Sequence, residues 1–193
     1  MHDSTHRSDQ SALSMVIAWG SSTGYTEDAA KILHGQLRHV VDTIVDIGDT
    51  DIASLENYDV LILGVPTWHI GELQDDWDIC FDELADLDLS GKAVAIFGCG
   101  DADGYPETYQ DAMGILWEQL EATGATLIGR WPIDGYDFQA SRALTEDGRH
   151  FVGLALDEHC QDHLTEERIE RWAQQIQSEL ARLAEHRLAA VAS

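Results

Sequence analysis

Residues 15–33 read MVIAWGSSTGYTEDAAKIL and join an apolar run, a polar turn and a helical pattern. The first five residues are typical of a buried strand, and residues 20–26 follow with glycines and hydroxyls. Glu27 then begins a pattern with apolar residues three to four positions apart. A helix N-terminus after such a turn offers free N–H groups and a positive dipole, which together bind phosphate. The stretch predicts either a phosphate-binding loop or a strand–helix turn that binds nothing.

This turn lacks the residues of two common nucleotide-binding motifs. It has no lysine for a Walker loop and no G-x-G-x-x-G pattern for a dinucleotide. It does have the hydroxyls of Ser21, Ser22, Thr23 and Thr26, with their backbone amides. If it binds a ligand, we expect a terminal phosphomonoester that is held by hydrogen bonds without a side-chain cation.

The composition bounds the size of the domain and the kind of partner. The 193 residues suit one domain with a substantial core. The formal charge is −25, from 36 acidic and 11 basic residues. This charge disfavours nucleic acid and anionic membranes as partners and favours a basic protein surface. A salt-rich, halophilic habitat is another source of such acidity, and the two explanations are compatible.

The cysteines and the termini indicate the compartment and the domain limits. Cys80, Cys99 and Cys160 form no C-x-x-C pair, which favours reduced thiols in the cytoplasm. No apolar run has membrane-spanning length, and the N-terminus has no signal-peptide core. We predict a disordered polar tail over residues 1–14, one domain over 15–186 and a second tail over 187–193, in a monomeric protein.

Apolar runs alternate with helical patterns along the rest of the chain. Such alternation predicts an α/β fold, with one parallel, doubly wound sheet and helices on both faces. We expect Phe81 to face inward in the second helix and Thr165 to cap the last one. The predicted strands are residues 15–19, 43–47, 60–65, 93–97 and a fifth in two parts, 126–131 and 151–156; residues 108–123 are predicted to be helical.

Three strands of this sheet end in unusual residues. The hydroxyl turn follows the first strand, residues 67–69 (Thr-Trp-His) follow the third, and residues 101–105 follow the fourth. Ligands bind at the carboxyl ends of strands in doubly wound sheets. Trp68 and Tyr105 would then flank a slot that ends at the hydroxyl turn, which suits a flat aromatic ligand with a phosphomonoester. Each aromatic residue alone is equally compatible with a packing role.

Four runs resemble the long-chain flavodoxins: residues 20–27 (GSSTGYTE), 66–77 (PTWHIGELQDDW), 98–111 (GCGDADGYPETYQD) and 153–158 (GLALDE). The similarity extends over roughly residues 14–184. It implies a five-stranded sheet in the order 2-1-3-4-5, which is known for that family rather than derived from this sequence. It also implies that the fifth strand is split by an inserted loop, residues 134–150.

The resemblance further implies a function. Flavodoxins are low-potential one-electron carriers whose non-covalently bound FMN cycles between semiquinone and hydroquinone, with no substrate turnover of their own. Their transient partners are the basic face of a flavodoxin reductase and low-potential acceptor enzymes. By position, Ser21, Ser22, Thr23, Gly24, Tyr25 and Thr26 would hold the phosphate, Trp68 and Tyr105 would cover the ring, and Pro66, Thr67, His69, Ile70, Gly71, Cys99, Gly100, Asp101, Gln110 and Asp111 would complete the site.

Two alternatives share this fold. An FMN-dependent NAD(P)H quinone or nitro reductase would need a nicotinamide site, yet the sequence has no basic cluster for an NADPH phosphate, and Trp68 and Tyr105 would cover both ring faces. A receiver-type signalling domain would need paired acids after the first strand and an Asp after the third, and neither is present. For the inserted loop, bracing of the sheet edge and docking of a partner both stay open.

Overall fold

The structure is a computed structural model that describes the backbone of residues 13–191 and the side chains as far as Glu185. Residues 1–12 and 192–193 of the predicted tails lie outside the described residues. The folded part extends past both predicted boundaries. Ser14 donates from its N–H and its hydroxyl to Asp59, each at 3.0 Å, and the last helix continues to Val191.

A parallel sheet forms the centre of the molecule, and its pairing agrees with the predicted order. The first four strand positions are β1 (Met15–Trp19), β2 (Thr43–Asp46), β3 (Val60–Gly64) and β6 (Ala93–Cys99), arranged β2-β1-β3-β6. Two short strands, β7 (Thr126–Leu127) and β10 (Leu154–Leu156), share the fifth position beside β6. They pair with opposite ends of β6, β7 at Ala93 and β10 at Phe97, so the fifth strand is split.

Four helices cover the sheet: α1 (Tyr25–Leu37), α2 (Asp75–Leu84), α3 (Asp111–Glu121) and α4 (Thr165–Val191). Helix α1 packs against α4, and α2 packs against α3. Every residue of β3 and β6 is buried, as expected for strands that are covered on both faces. None of the helices within residues 13–191 combines the length and the apolar character that a membrane span requires.

Several predicted element ends differ from the structure for local reasons. Strand β2 ends at Asp46 because that side chain accepts a hydrogen bond from the Gly48 N–H, at 2.9 Å, and starts a 3₁₀ turn. Helix α3 begins at Asp111, since Gln110 before it has a left-handed φ of 63°. Thr165 is the first residue of α4 rather than its cap, and its hydroxyl donates to the Glu158 carboxylate. Phe81 is only half-buried.

The predicted strand over residues 126–131 is interrupted. Gly129 has a φ of 75°, which turns the chain away from the sheet. The chain then forms β8 (Trp131–Pro132), which pairs in antiparallel fashion with β9 (His150–Phe151). The inserted loop between these two strands packs Tyr136 and Phe138 against Tyr109, which precedes α3, and against Phe151 of β9. The contacting rings have centroids 5.3–6.1 Å apart.

Candidate cofactor-binding site

The carboxyl ends of the strands open onto a cleft of about 510 Å³. All of its lining residues except Glu158 and His159 belong to the predicted site. A larger groove, of about 790 Å³, lies between α3, α4 and the inserted loop and contains none of the predicted residues. The smaller cleft is lined by Thr23, Tyr25, Thr26, Pro66, Thr67, Trp68, His69, Cys99, Gly100, Asp101, Tyr105, Glu158 and His159.

The hydroxyl turn presents an uncapped helix to one end of this cleft. Gly24 precedes α1 with a φ of 92°, and no described side chain caps the helix. The Gly24 N–H donates to Ser21 Oγ at 3.0 Å, and Ser22 Oγ accepts from Gln74 Nε2 at 3.2 Å. These bonds shape the turn and leave the first N–H groups of α1 without an intrahelical partner.

Thr26 supplies the second indication of a ligand. It is buried, and its Oγ1 has no hydrogen-bond partner among the described residues. A buried hydroxyl without a partner costs free energy, which an oxygen of a bound anion would offset. The turn therefore fits a phosphate that accepts hydrogen bonds from N–H and O–H groups.

Trp68 forms one wall of the cleft and is held by a short hairpin. Strand β4 (Thr67–Trp68) pairs in antiparallel fashion with β5 (Glu72–Leu73). The turn between them places His69 at φ 45° and Gly71 at φ 85°, with Ile70 77% exposed at the tip. A Cβ on Gly71 would lie 2.7 Å from Asp111 Oδ2, so the close approach to α3 requires glycine.

Tyr105 also lines the cleft and is 47% exposed. Its N–H donates to the Asp101 carbonyl at 3.0 Å, within the turns that follow β6. Trp68 is also only half-buried. Neither ring is a core residue, so the geometry favours a ligand-facing role for both over the packing role that the sequence left open.

The floor of the cleft is uncharged at neutral pH. Cys99 ends β6, and burial raises the pKa of its thiol to about 12. The nearby Thr26 hydroxyl lowers the pKa of this thiol by less than burial raises it, and it makes no hydrogen bond of normal geometry with the sulfur. Pro66 and Gly100 add no charge beside the thiol, so this surface suits an uncharged part of a ligand.

Gln110 and Asp111 do not line the cleft. They support the segments that do. Gln110 is fully buried and donates from Nε2 to the Leu156 carbonyl at 2.8 Å. Asp111 Oδ1 accepts from the Arg142 N–H at 2.7 Å, and the next N–H, of Ala112, donates to Thr67 Oγ1 at 3.2 Å. The start of α3 thus joins β10, the inserted loop and the Trp68 hairpin, which makes these two residues positioning residues.

A fourth loop, after β10, completes the cleft. The buried Asp157 carboxylate accepts hydrogen bonds from the N–H groups of Ala102 at 2.9 Å, His159 at 3.1 Å and Cys160 at 2.9 Å. These bonds fasten the loop to the turns after β6. The His159 ring then meets the Tyr25 ring edge-on, with centroids 5.9 Å apart and planes at 79°.

Comparison with known proteins identifies the family. A model of the flavodoxin family matches residues 17–172. Flavodoxin 1 of Salmonella typhimurium is 48% identical over 164 residues, which cover 85% of this chain and 93% of that protein. The chain belongs to the flavodoxin family. Flavodoxin 2 of Escherichia coli K12 is 44% identical over 169 residues, or 88% of this chain and 98% of that flavodoxin.

Solved flavodoxin structures share the fold. A crystal structure of Fusobacterium nucleatum flavodoxin bound to flavin mononucleotide superposes with a TM-score of 0.81 at 27% identity, covering 86% of this chain and 98% of that chain. The predicted family and α/β fold are confirmed.

Three residues near the cleft of this flavodoxin were missing from the predicted site. Glu158 and His159 line it, and buried Gln74 supports the hydroxyl turn. A signal for the first two was present, because they follow a strand whose carboxyl end reaches the same sheet edge. Gln74 had no such signal, since its role depends on a contact with a turn 52 positions away.

Proposed function

We propose that this protein is an electron carrier that holds FMN in the described cleft and turns over no substrate of its own. The observation that carries the proposal is the combination, in one cleft, of two half-exposed aromatic side chains with a helix N-terminus and a Thr26 hydroxyl that no described side chain caps or pairs. FMN supplies the one-electron chemistry when it is bound, and the protein sets its orientation and its electrostatic surroundings.

Three groups of residues hold three different parts of the cofactor. The turn at Ser21–Thr26 holds the phosphate through amides and hydroxyls, and Thr26 gains the partner that it lacks. Trp68 and Tyr105 cover the two faces of the flavin ring. The rest of the ring and the ribityl chain are enclosed by the hairpin turn (His69, Ile70 and Gly71), by the uncharged floor (Pro66, Thr67, Cys99 and Gly100) and by Asp101.

The charges around the cleft favour a low reduction potential. Asp101 and Glu158 line it, and its described lining contains neither lysine nor arginine. The protein as a whole carries a formal charge of −25. An additional negative charge on a reduced flavin is therefore opposed by desolvation and by repulsion, which makes the reduced cofactor a strong electron donor.

The same charges indicate the kind of partner. We propose transient, salt-sensitive encounters with the basic face of a flavodoxin reductase and with low-potential acceptor enzymes. Ile70 and Tyr105 are exposed at the rim of the cleft, where a partner would approach the flavin edge. Neither nucleic acid nor a membrane is a partner in this proposal.

We also propose that the protein works as a cytoplasmic monomer of the long-chain kind. The three cysteines are unpaired, which suits a reducing compartment. The division of the fifth strand into β7 and β10, with an inserted loop between them, supports the long-chain assignment.

The proposal is tested by a visible spectrum of the purified protein and by FMN titration of the apoprotein. We expect flavin absorption bands, stepwise anaerobic reduction and tight FMN binding. Trp68→Ala should weaken FMN binding by about tenfold, because a stacked aromatic face is lost. Trp117→Ala, at a half-buried tryptophan on α3 that lines the other groove, is the matched control and should leave FMN affinity unchanged.

Unchanged FMN affinity in Trp68→Ala would place the cofactor elsewhere. A protein that refuses FMN altogether would overturn the electron-carrier function. Rapid NADH oxidation by the pure protein would instead favour the reductase alternative, since a carrier needs a separate reductase.

A further inference from the structure

The hydroxyl-turn end of the cleft contains one side chain that can become a cation. Residues 20–26 include no lysine, arginine or histidine. Among the described residues that line the cleft, only His69 and His159 can gain a positive charge. His69 lies beside Trp68, with ring centroids 5.9 Å apart, on the hairpin wall. His159 contacts Tyr25, the first residue of α1, and is therefore at the end where the turn presents its N–H groups.

The backbone around His159 is held firmly. The Asp157 carboxylate accepts N–H bonds from His159, from the adjacent Cys160 and from Ala102 in the turns after β6. The Gln161 N–H also donates to the Asp157 carbonyl, at 2.9 Å. These bonds fix the backbone of the loop beside the turn, whereas the His159 side chain is exposed and meets the Tyr25 ring; little backbone entropy is therefore lost when the loop meets a ligand.

We propose that His159, in its imidazolium form, is the counter-charge for the phosphate of the ligand, so that phosphate-dependent affinity is greater at lower pH. The proposal rests on the proposed binding of FMN in this cleft. The sign follows from linkage: an anion that binds better to the protonated ring is bound more tightly at lower pH.

Other titratable groups face the same space as His159. Among the Asp, Glu, Cys, Tyr and His side chains that face this space, only the imidazole of histidine ordinarily changes its charge between about pH 6.5 and 8.0. The second pKa of a phosphate monoester is about 6, so the ligand stays mainly dianionic over that range. The facing groups are Tyr25 from α1, Asp101 and Tyr105 from the turns after β6, Cys99 from the floor, His69 from the hairpin, and Asp157, Glu158 and Cys160 from the loop of His159 itself.

The test compares FMN with riboflavin, which lacks the phosphate. Both are titrated into the full-length apoprotein at about pH 6.5 and 8.0, and flavin fluorescence is recorded. We expect the wild type to bind FMN about threefold to tenfold more tightly at the lower pH, as for a partly exposed pair of charges. Riboflavin affinity should not change. His159→Asn should remove the pH dependence for FMN and keep the riboflavin affinity, which also shows that the variant folds.

His69→Asn is the matched control, because it removes the second histidine of the cleft. It should keep the pH dependence of the wild type. Dependence that persists in His159→Asn, or that riboflavin shows equally, would overturn the assignment of His159. Such a result would leave the FMN site intact if Trp68→Ala still weakens FMN binding. Unchanged FMN affinity in Trp68→Ala would instead place the cofactor outside this cleft, and a protein that refuses FMN would overturn the proposed function itself.

Discussion

Asp111 illustrates how one carboxylate serves the cleft without lining it. It is 7% exposed at the first position of α3, where it accepts the Arg142 N–H and packs against Gly71. Burial raises its pKa above the usual 3.8, against the smaller lowering effect of that N–H. The position thus requires an acceptor, and the negative charge on it costs free energy.

We predict different results for two substitutions of Asp111. Asp111→Ala should lower the free energy of unfolding by about 1–3 kcal/mol, because the Arg142 N–H loses its acceptor. Asp111→Asn keeps an oxygen acceptor and removes the charge, so its stability near neutral pH should equal or exceed that of the wild type. Urea denaturation of both variants measures the difference.

The pH dependence of stability provides the control for the two Asp111 variants. The pKa of Asp111 is raised in the folded state. The stability that its protonated carboxyl contributes is therefore fully present below the unfolded-state pKa of 3.8 and is lost as pH rises through the folded-state pKa. The advantage of Asp111→Asn over the wild type should therefore disappear as pH falls toward 4. An Asn variant as unstable as the Ala variant at neutral pH would mean that the charge itself is required.

The inserted loop is bound to both loops that close the cleft. The N–H groups of Gln139 and Ala140 donate to the Pro106 carbonyl at 2.8 and 3.0 Å, directly after Tyr105. Gln161 Nε2 donates to the Gly135 carbonyl at 2.9 Å, and the Tyr136 hydroxyl donates to the Ala155 carbonyl at 2.6 Å. Of the two roles that the sequence left open, these bonds favour bracing.

The substitution Gly114→Ala tests whether the inserted loop braces the cleft. A Cβ there would overlap the Arg142 carbonyl and lie 2.8 Å from the Ala143 N, so α3 and the inserted loop would have to separate. We expect Gly114→Ala to destabilise the protein by about 1–3 kcal/mol, as overpacking does. FMN binding should also weaken, because the loop positions the segment that carries Tyr105. Thermal unfolding and FMN titration measure the two effects.

Gly35→Ala is the matched control. Gly35 is also within a helix, α1, but a Cβ there would meet nothing within 4 Å. The higher helix propensity of alanine should stabilise the protein by up to about 1 kcal/mol. If Gly114→Ala behaves like Gly35→Ala, the inserted loop is not a brace, and docking of a partner becomes the favoured role.

At the scale of the whole molecule, three described arginines are on elements that contribute no residue to the cleft lining. Arg168 lies over the Tyr136 ring at 4.2 Å, Arg171 over Trp131 at 5.2 Å, and Arg142 pairs with Glu118 at 2.8 Å. These arginines are on α4 and the inserted loop. The described cleft lining holds Asp101 and Glu158 without a lysine or arginine. We propose that the acidic lining, together with the formal charge of −25, steers a basic partner toward the cleft.

The dependence of stability on salt distinguishes the two explanations of the acidity, which are steering of a basic partner and adaptation to a salt-rich habitat. Adaptation to a salt-rich habitat predicts that the protein unfolds when salt is removed, whereas steering alone predicts a stable fold at low salt. Circular dichroism at about 0.01 M and 1 M KCl compares the extremes, where the Debye length is about 30 and 3 Å. If steering operates, the association rate with a basic reductase should fall steeply over that range while the fold persists. A rate that does not respond to salt would contradict steering.

The amino-acid sequence by itself determined the class of fold and predicted most of the residues that line the cleft. Strand β1, the hydroxyl turn and the buried strands β3 and β6 were predicted correctly because periodicity and turn chemistry depend on near neighbours. The rule that ligands bind at the carboxyl ends of strands then brought Trp68 and Tyr105 to one cleft.

Only the tertiary structure decided which residues complete that cleft and which support it. Tyr25 meets His159, and Gln110 holds Leu156, across separations that no local pattern records. The turn at Gly129 that ends β7 likewise gains its stability from distant contacts, since the Trp172 indole donates to its carbonyl at 2.6 Å. Such contacts depend on which strands become neighbours and on how loops pack at one sheet edge, because burial and hydrogen bonding are satisfied by the whole fold.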